Sequence, residues 1–137
     1  MLIVVCDLDQ QCLSAFRQEL LTLVNACIPR PATHFCIAVE EGEAWYLGDI
    51  AAVKKAYPTA KDAVLYSYIN DSICGTWETL ADALFSGGAK KLSNAGWQTV
   101  GKEKATWAER ISPQMDVEDN LSPSFCYFRN KLRRLID

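Results

Sequence analysis

The chain has 137 residues, 50% hydrophobic and 23% charged, with 14 Lys+Arg against 17 Asp+Glu for a net charge of −3. That composition excludes disorder, and the length leaves little room for two domains, so a single domain over residues 1–137 is expected. The slight acidity supplies no global field to attract nucleic acid or an anionic membrane. No apolar run approaches the roughly 18 residues a membrane span needs, and the first apolar run lacks a signal peptide's basic flank, so a cytoplasmic protein without membrane association is expected.

Leu2-Ile3-Val4-Val5-Cys6 is a continuous apolar run of the kind buried on both faces of a parallel sheet. After Asp7-Leu8-Asp9, apolar residues at Leu13, Phe16, Leu20, Leu23, Val24 and Cys27 follow helical spacing, and Pro29 and Pro31 end the segment. Phe35 to Val39 reads as a second buried strand. Strand, helix and strand form a βαβ unit, which requires a parallel pairing with a right-handed crossover.

The remainder reads mostly as helix. Glu43 to Leu47 opens one, Asp49 caps another to Ala56, and Thr76 caps a third through Phe85. Val64 to Ile69 is consistent with a short strand or a loop, Gly96 to Gly101 with an irregular connection, and Lys104 to Ile111 with a helix. Pro123 takes the first position of a last helix through Leu135. The expected fold class is α/β, a small parallel sheet flanked by helices with a helical C-terminal half.

Cys6, Cys12, Cys27, Cys36, Cys74 and Cys126 show no paired spacing and read as reduced core thiols. His34 is the only histidine, which disfavours a zinc site or a histidine-based triad.

Asp7 and Asp9 form a DxD at the carboxyl end of the first strand, where open α/β sheets place ligands. In extended backbone both carboxylates would face one cation. Glu40-Glu41-Gly42-Glu43 follows the second strand, so parallel pairing brings both acidic groups to one sheet edge. Hard oxygen ligands crowded together suit Mg²⁺ or Mn²⁺. The competing reading is of helix caps and solvated loop charges.

The stretch Val5 to Asp9, the stretch Val39 to Asp49, and Asn120-Leu121-Ser122-Pro123-Ser124-Phe125 with Phe128 and Leu132 together resemble the Toprim-like domain-of-unknown-function family 4276. The resemblance implies a Toprim fold and Mg²⁺- or Mn²⁺-dependent phosphodiester chemistry on DNA or RNA. It also implies metal-binding and catalytic roles for Asp7, Asp9, Glu41 and Glu43, and an association with an ATPase in bacterial defence. The family pattern opens with an earlier strand and a Glu, whereas Met1 leads directly into the DxD strand. A domain shortened at its N-terminus is therefore expected, and with it a second reading as a catalytically degenerate binding or regulatory subunit whose open sheet edge takes a partner or a second copy. A haloacid-dehalogenase-like phosphatase ranks third, because Gln10-Gln11 replaces the small residues that follow that family's DxD.

After position 100 the chain carries seven bases against six acids, and Arg129, Lys131, Arg133 and Arg134 gather in the last helix. Arg129 and Arg133 are candidate phosphate contacts, as are Lys102 and Lys104, either of which could stabilise a phosphoryl transition state. Ser122 reads as an N-cap, and Ser122 and Ser124 are further candidates for a phosphate at a helix N-terminus. Trp45, Trp77, Trp97 and Trp107 read as core or interface anchors.

Overall fold

The computed structural model describes residues 1–135. Strand β1 (Leu2–Asp7) pairs in parallel with β2 (Thr33–Ala38), in register from Leu2 opposite Thr33 to Asp7 opposite Ala38. Helix α1 (Leu13–Asn25) makes the crossover that such a pair requires. Eight α-helices are described in all, so the α/β class expected from the sequence holds, with a sheet of only two strands. Among the described residues no helix is long and apolar enough to cross a membrane.

The sheet is less buried than its composition suggests. Leu2 and Val5 of β1 are exposed, and Val24 alone is buried on α1, while Leu13 and Leu23 face outward. A strand with one neighbour cannot be covered on every side, and α1 is shorter than the segment its apolar spacing marks. The main core lies in the helical part instead. It is built by Leu47 of α2 (Glu43–Leu47), Val53 of α3 (Ile50–Ala56), Leu65 of α4 (Asp62–Leu65) and Leu80 of α5 (Thr76–Leu84), with Leu92 of α6 (Gly88–Asn94) and Trp107 and Ile111 of α7 (Trp97–Ile111).

Several sequence expectations need correction. Residues 96–101 are not an irregular connection: Gly96, at φ +94°, turns the chain, and α7 then runs unbroken from Trp97. The stretch from Val64 to Ile69, read as a strand or loop, begins with the last two residues of the single helical turn α4 and continues as turn and loop. Gly75, at φ +79°, holds the N-cap position of α5, and Thr76 is its first helical residue. Of the cysteines only Cys36 is buried, while Cys12, Cys27 and Cys74 are exposed because α1 and the 70–75 turn lie at the surface. Trp107 is a core anchor as expected, but Trp97 is 81% exposed.

The C-terminal helix α8 (Pro123–Arg133) packs on β2 and is tied to α2 by a set of buried polar contacts. Asn120 donates from Nδ2 to the Trp45 carbonyl (2.7 Å) and accepts at Oδ1 from the Ser122 amide (2.9 Å). The Leu121 amide donates to the Gly48 carbonyl at 2.9 Å. Asp49 accepts from the Ala52 amide (2.9 Å), capping α3, and from the Asp116 amide (2.8 Å), holding the loop before α8. Trp45 donates from Nε1 to Ser124 Oγ (2.9 Å) and stacks on Phe128 with centroids 5.2 Å apart.

Gly48 is where this approach is closest. A Cβ there would stand 2.8 Å from the Ser122 Cβ and 2.9 Å from its amide nitrogen, and would collide with Asn120 Oδ1. Gly48→Ala is therefore expected to destabilise the fold by about 1–3 kcal/mol through overpacking. Gly101→Ala, in a helix interior with nothing within 4 Å of the added methyl, is expected to stabilise by roughly 0.5–1 kcal/mol. Urea denaturation of the two variants measures both, and equal effects would contradict the packing described.

Candidate functional site

The parallel register carries the ends of both strands to one edge. Pairing continues past the regular strands, with the Leu8 amide donating to the Ala38 carbonyl (3.0 Å) and the Asp9 amide to the Glu40 carbonyl (2.7 Å). Asp9 (φ +51°) and Glu40 (φ +58°) both turn through the left-handed region. Asp tolerates this conformation better than Glu, for which it costs about 1–2 kcal/mol.

What offsets that cost at Glu40 is a cap. Its carboxylate accepts from the Gly75 amide (3.1 Å), the Thr76 amide (2.9 Å) and the Thr76 hydroxyl at the start of α5. Partial burial alone would raise the Glu40 pKa, but these hydrogen bonds bring it below the ordinary carboxylate value. Glu40 is thus committed to the fold.

The turn at Asp9 also changes the DxD. Alternation along an extended strand stops at Asp7, so the two carboxylates do not form the simple same-side pair expected. Asp7 borders an apolar hollow of about 400 Å³ lined by Val5, Trp45, Tyr46 and Phe128. Asp9 lines a neighbouring cleft of about 540 Å³ with Gln10, Gln11, Glu40, Glu41 and Glu78. The two remain electrostatically coupled. The Asp7 pKa is raised, first by partial burial and also by Asp9, against the lowering effect of Lys104 and the Gly42 backbone.

Glu41 and Glu43 converge on Lys104. The ammonium of this α7 residue lies 3.1 Å from Glu41 Oε2 and 3.4 Å from Glu43 Oε2. Glu43, the first residue of α2, is only 5% exposed. Its burial raises its pKa, Lys104 lowers it and Glu41 raises it again, leaving a net upward shift. For Lys104, burial acts downward, and Glu43 and Glu41 more than offset it, so its pKa stands above the ordinary lysine value. Glu41 Oε2 is buried and lacks a hydrogen-bond partner, so its contact with Lys104 is an ionic one.

The acidic residues at the strand ends carry more negative charge than the one lysine beside them neutralises. Glu41 and Glu43 pair with one ammonium whose charge also acts on Asp7, so when all three carboxylates are ionised two negative charges remain uncompensated. Oxygen donors of this type suit Mg²⁺ or Mn²⁺. With the side chains where they stand, however, no group of three His, Cys, Asp or Glu among the described residues is close enough to share an ion.

The other candidate residues are placed differently. Lys102 is exposed, two positions from Lys104 and so turned away from it around the helix. The N-terminus of α8 already holds an anion. Asp71 accepts from the Ser122 hydroxyl (2.7 Å) and the Ser124 amide (2.6 Å), while Ser122 Oγ caps the Phe125 amide (3.2 Å). Ser122 and Ser124 therefore serve the fold and face the chain's own carboxylate. Arg129 donates to the carbonyls of Val117 (2.6 Å) and Glu118 (3.0 Å), and Arg133 pairs with the Glu118 carboxylate. Both arginines hold the 117–118 loop.

Sequence reasoning assigned Asp71 and Glu40 no cap. Asp71 sits at φ +56° in the Asn70-Asp71-Ser72 turn, a run whose composition signals local hydrogen bonding of this kind. Lys104 also carried a readable signal, because Val100, Lys104, Trp107 and Ile111 follow one helical stripe whose last two members are buried.

Glu43 sets a pH dependence. Its folded pKa lies above the unfolded value near 4.5, so the folded state binds the proton more tightly. Stability is then expected to fall as pH rises from about 4.5 through the higher folded value. Glu43→Gln is expected to remove that component, which chemical denaturation of wild type and variant across this range would measure. Identical pH profiles would contradict the assignment.

Comparison of the chain with protein-family models, with curated proteins and with solved structures finds no match.

Proposed function

We propose that this chain is a Toprim-like module that binds Mg²⁺ or Mn²⁺ and cleaves phosphodiester bonds in DNA or RNA. Asp7, Glu41 and Glu43 are the ion's ligands, and Asp9 adds negative charge from the adjoining cleft. The observation that carries this reading is the pairing of Glu41 and Glu43, just past the end of β2, with Lys104, whose charge also acts on Asp7 at the end of β1. A bound divalent ion would supply Lewis-acid polarisation of a phosphoryl oxygen. The chain's own part is to hold Asp7 at the end of β1, to seat Glu43 at the start of α2, and to keep Lys104 beside Glu41 and Glu43.

A second reading, a catalytically degenerate binding or regulatory subunit, draws on the same pair of contacts, because Lys104 already neutralises part of the acidic group. It also draws on β1, which has β2 on one side and no described strand on the other. An ATPase or a second copy of the chain is the partner that reading proposes.

Calorimetric titration with Mn²⁺ and Mg²⁺ tests the first reading, alongside cleavage of plasmid DNA and single-stranded RNA in Mn²⁺. Wild type is expected to bind, and Asp7→Asn to lose about 10–100-fold or more in affinity. Cleavage is expected to fall in parallel. A folded wild-type chain that binds neither ion would overturn this reading. Ion binding without cleavage would favour the degenerate one.

A further inference from the structure

Among the described residues, β1 has a strand on one side only. The Leu2 and Leu8 amides donate to the Ala32 and Ala38 carbonyls, so the even-numbered residues of β1 turn their backbone groups toward β2, and Ile3, Val5 and Asp7 turn theirs the other way. That outward row of N–H and C=O groups is a template for an extended chain. Such edges are ordinarily protected by a proline, a lysine or a bulge. Leu2-Ile3-Val4-Val5-Cys6 contains neither residue, its register with β2 is unbroken, and Leu2 and Val5 stand 44% and 49% exposed.

Resting on the second reading above, in which this edge takes a partner, we propose that its occupant is β1 of a second copy of the chain, paired antiparallel about a twofold axis into one sheet of order β2-β1-β1-β2. Two observations select this occupant. The first is charge. The run from Leu2 to Cys6 is uncharged and Asp7 stands at its end, so a register that sets Ile3 opposite Val5 of the second copy, and Val5 opposite its Ile3, matches apolar residues along the shared length. It also leaves the two Asp7 carboxylates at opposite ends, where a parallel, in-register pairing would bring them together. The second is the surface beside the edge. Val5 and Asp7 line an apolar hollow with Trp45, Met115 and Phe128. Directly opposed residues of paired strands point to the same face, so Ile3 of the second copy falls beside Val5 on the side of that hollow and covers apolar surface that is otherwise open. Because each copy offers the same strand, the contact is isologous and closes at two.

Sedimentation velocity of the full chain, together with amide hydrogen exchange, tests the pairing. Wild type is expected to sediment as a dimer with its Ile3 and Val5 amides protected. Val5→Pro deletes an outward N–H without touching the bonds to β2, and Val5→Lys, which serves if the proline variant fails to fold, sets a charge on the shared face. Either is expected to weaken dimerisation about tenfold or more. In Val5→Lys the Ile3 amide is expected to exchange freely while those of Val4 and Cys6, bonded to β2, stay protected. A monomeric wild type overturns the proposal, even with Ile3 and Val5 protected, since another segment then covers the edge. A dimer that the folded variants leave intact overturns it as well. Neither result removes the degenerate-subunit reading, whose other partner is an ATPase, whereas nucleic-acid cleavage by a dimer in Mn²⁺ would remove that reading and leave the edge pairing standing.

Discussion

Helix α2 is five residues long, too short to hold its shape alone, yet it carries the most buried carboxylate of the candidate site. What holds it is the segment before α8. Asn120 binds the Trp45 carbonyl, Leu121 binds the Gly48 carbonyl, and Ser124 receives the Trp45 indole. Asn120 and Gly48 are buried, so leaving the bonds they make unmade would cost about 1–3 kcal/mol each, which makes the arrangement sensitive to small shifts. The position of Glu43, and through Glu41 that of Lys104, depends on this clamp between two segments more than 70 residues apart in the chain.

The same economy of charge recurs around the molecule. Carboxylates close the N-termini of α3, α5 and α8 through Asp49, Glu40 and Asp71. Arg129 and Arg133 secure the loop leading into α8. Charges committed in this way have defined partners and little freedom. The group at the strand ends is different, since Asp7, Glu41 and Glu43 outnumber the single lysine among them and one of their oxygens has no hydrogen bond. An excess of negative charge at the carboxyl edge of a parallel pair is the physical ground on which a cation is proposed there.

The strands, their parallel pairing and the helix starts at Asp49 and Ser122 were legible because each rests on local chemistry: β-branched runs, crossover length and capping side chains. The convergence of acidic groups was partly legible, since parallel pairing alone brings Asp7 and Glu41 to one edge. Its details were not. A left-handed turn at Asp9 ends the alternation that would have paired it with Asp7, and no local signal fixes that φ value for an Asp. The capping of α5 by Glu40 joins residues 35 and 36 positions apart, and the binding of Asp71 to Ser122 and Ser124 spans more than 50. Such contacts depend on tertiary packing. Lys104 was picked out as a phosphate contact but its pairing with Glu41 and Glu43 was hidden, because opening its helix at that residue rather than at Trp97 concealed the stripe that turns it inward.

The central proposal is that the strand-end carboxylates take a divalent cation. Anomalous scattering from crystals of the full chain soaked in Mn²⁺ tests it most directly. A peak bounded by Asp7, Glu41 and Glu43 is the expected result. A map without manganese at that edge would contradict it.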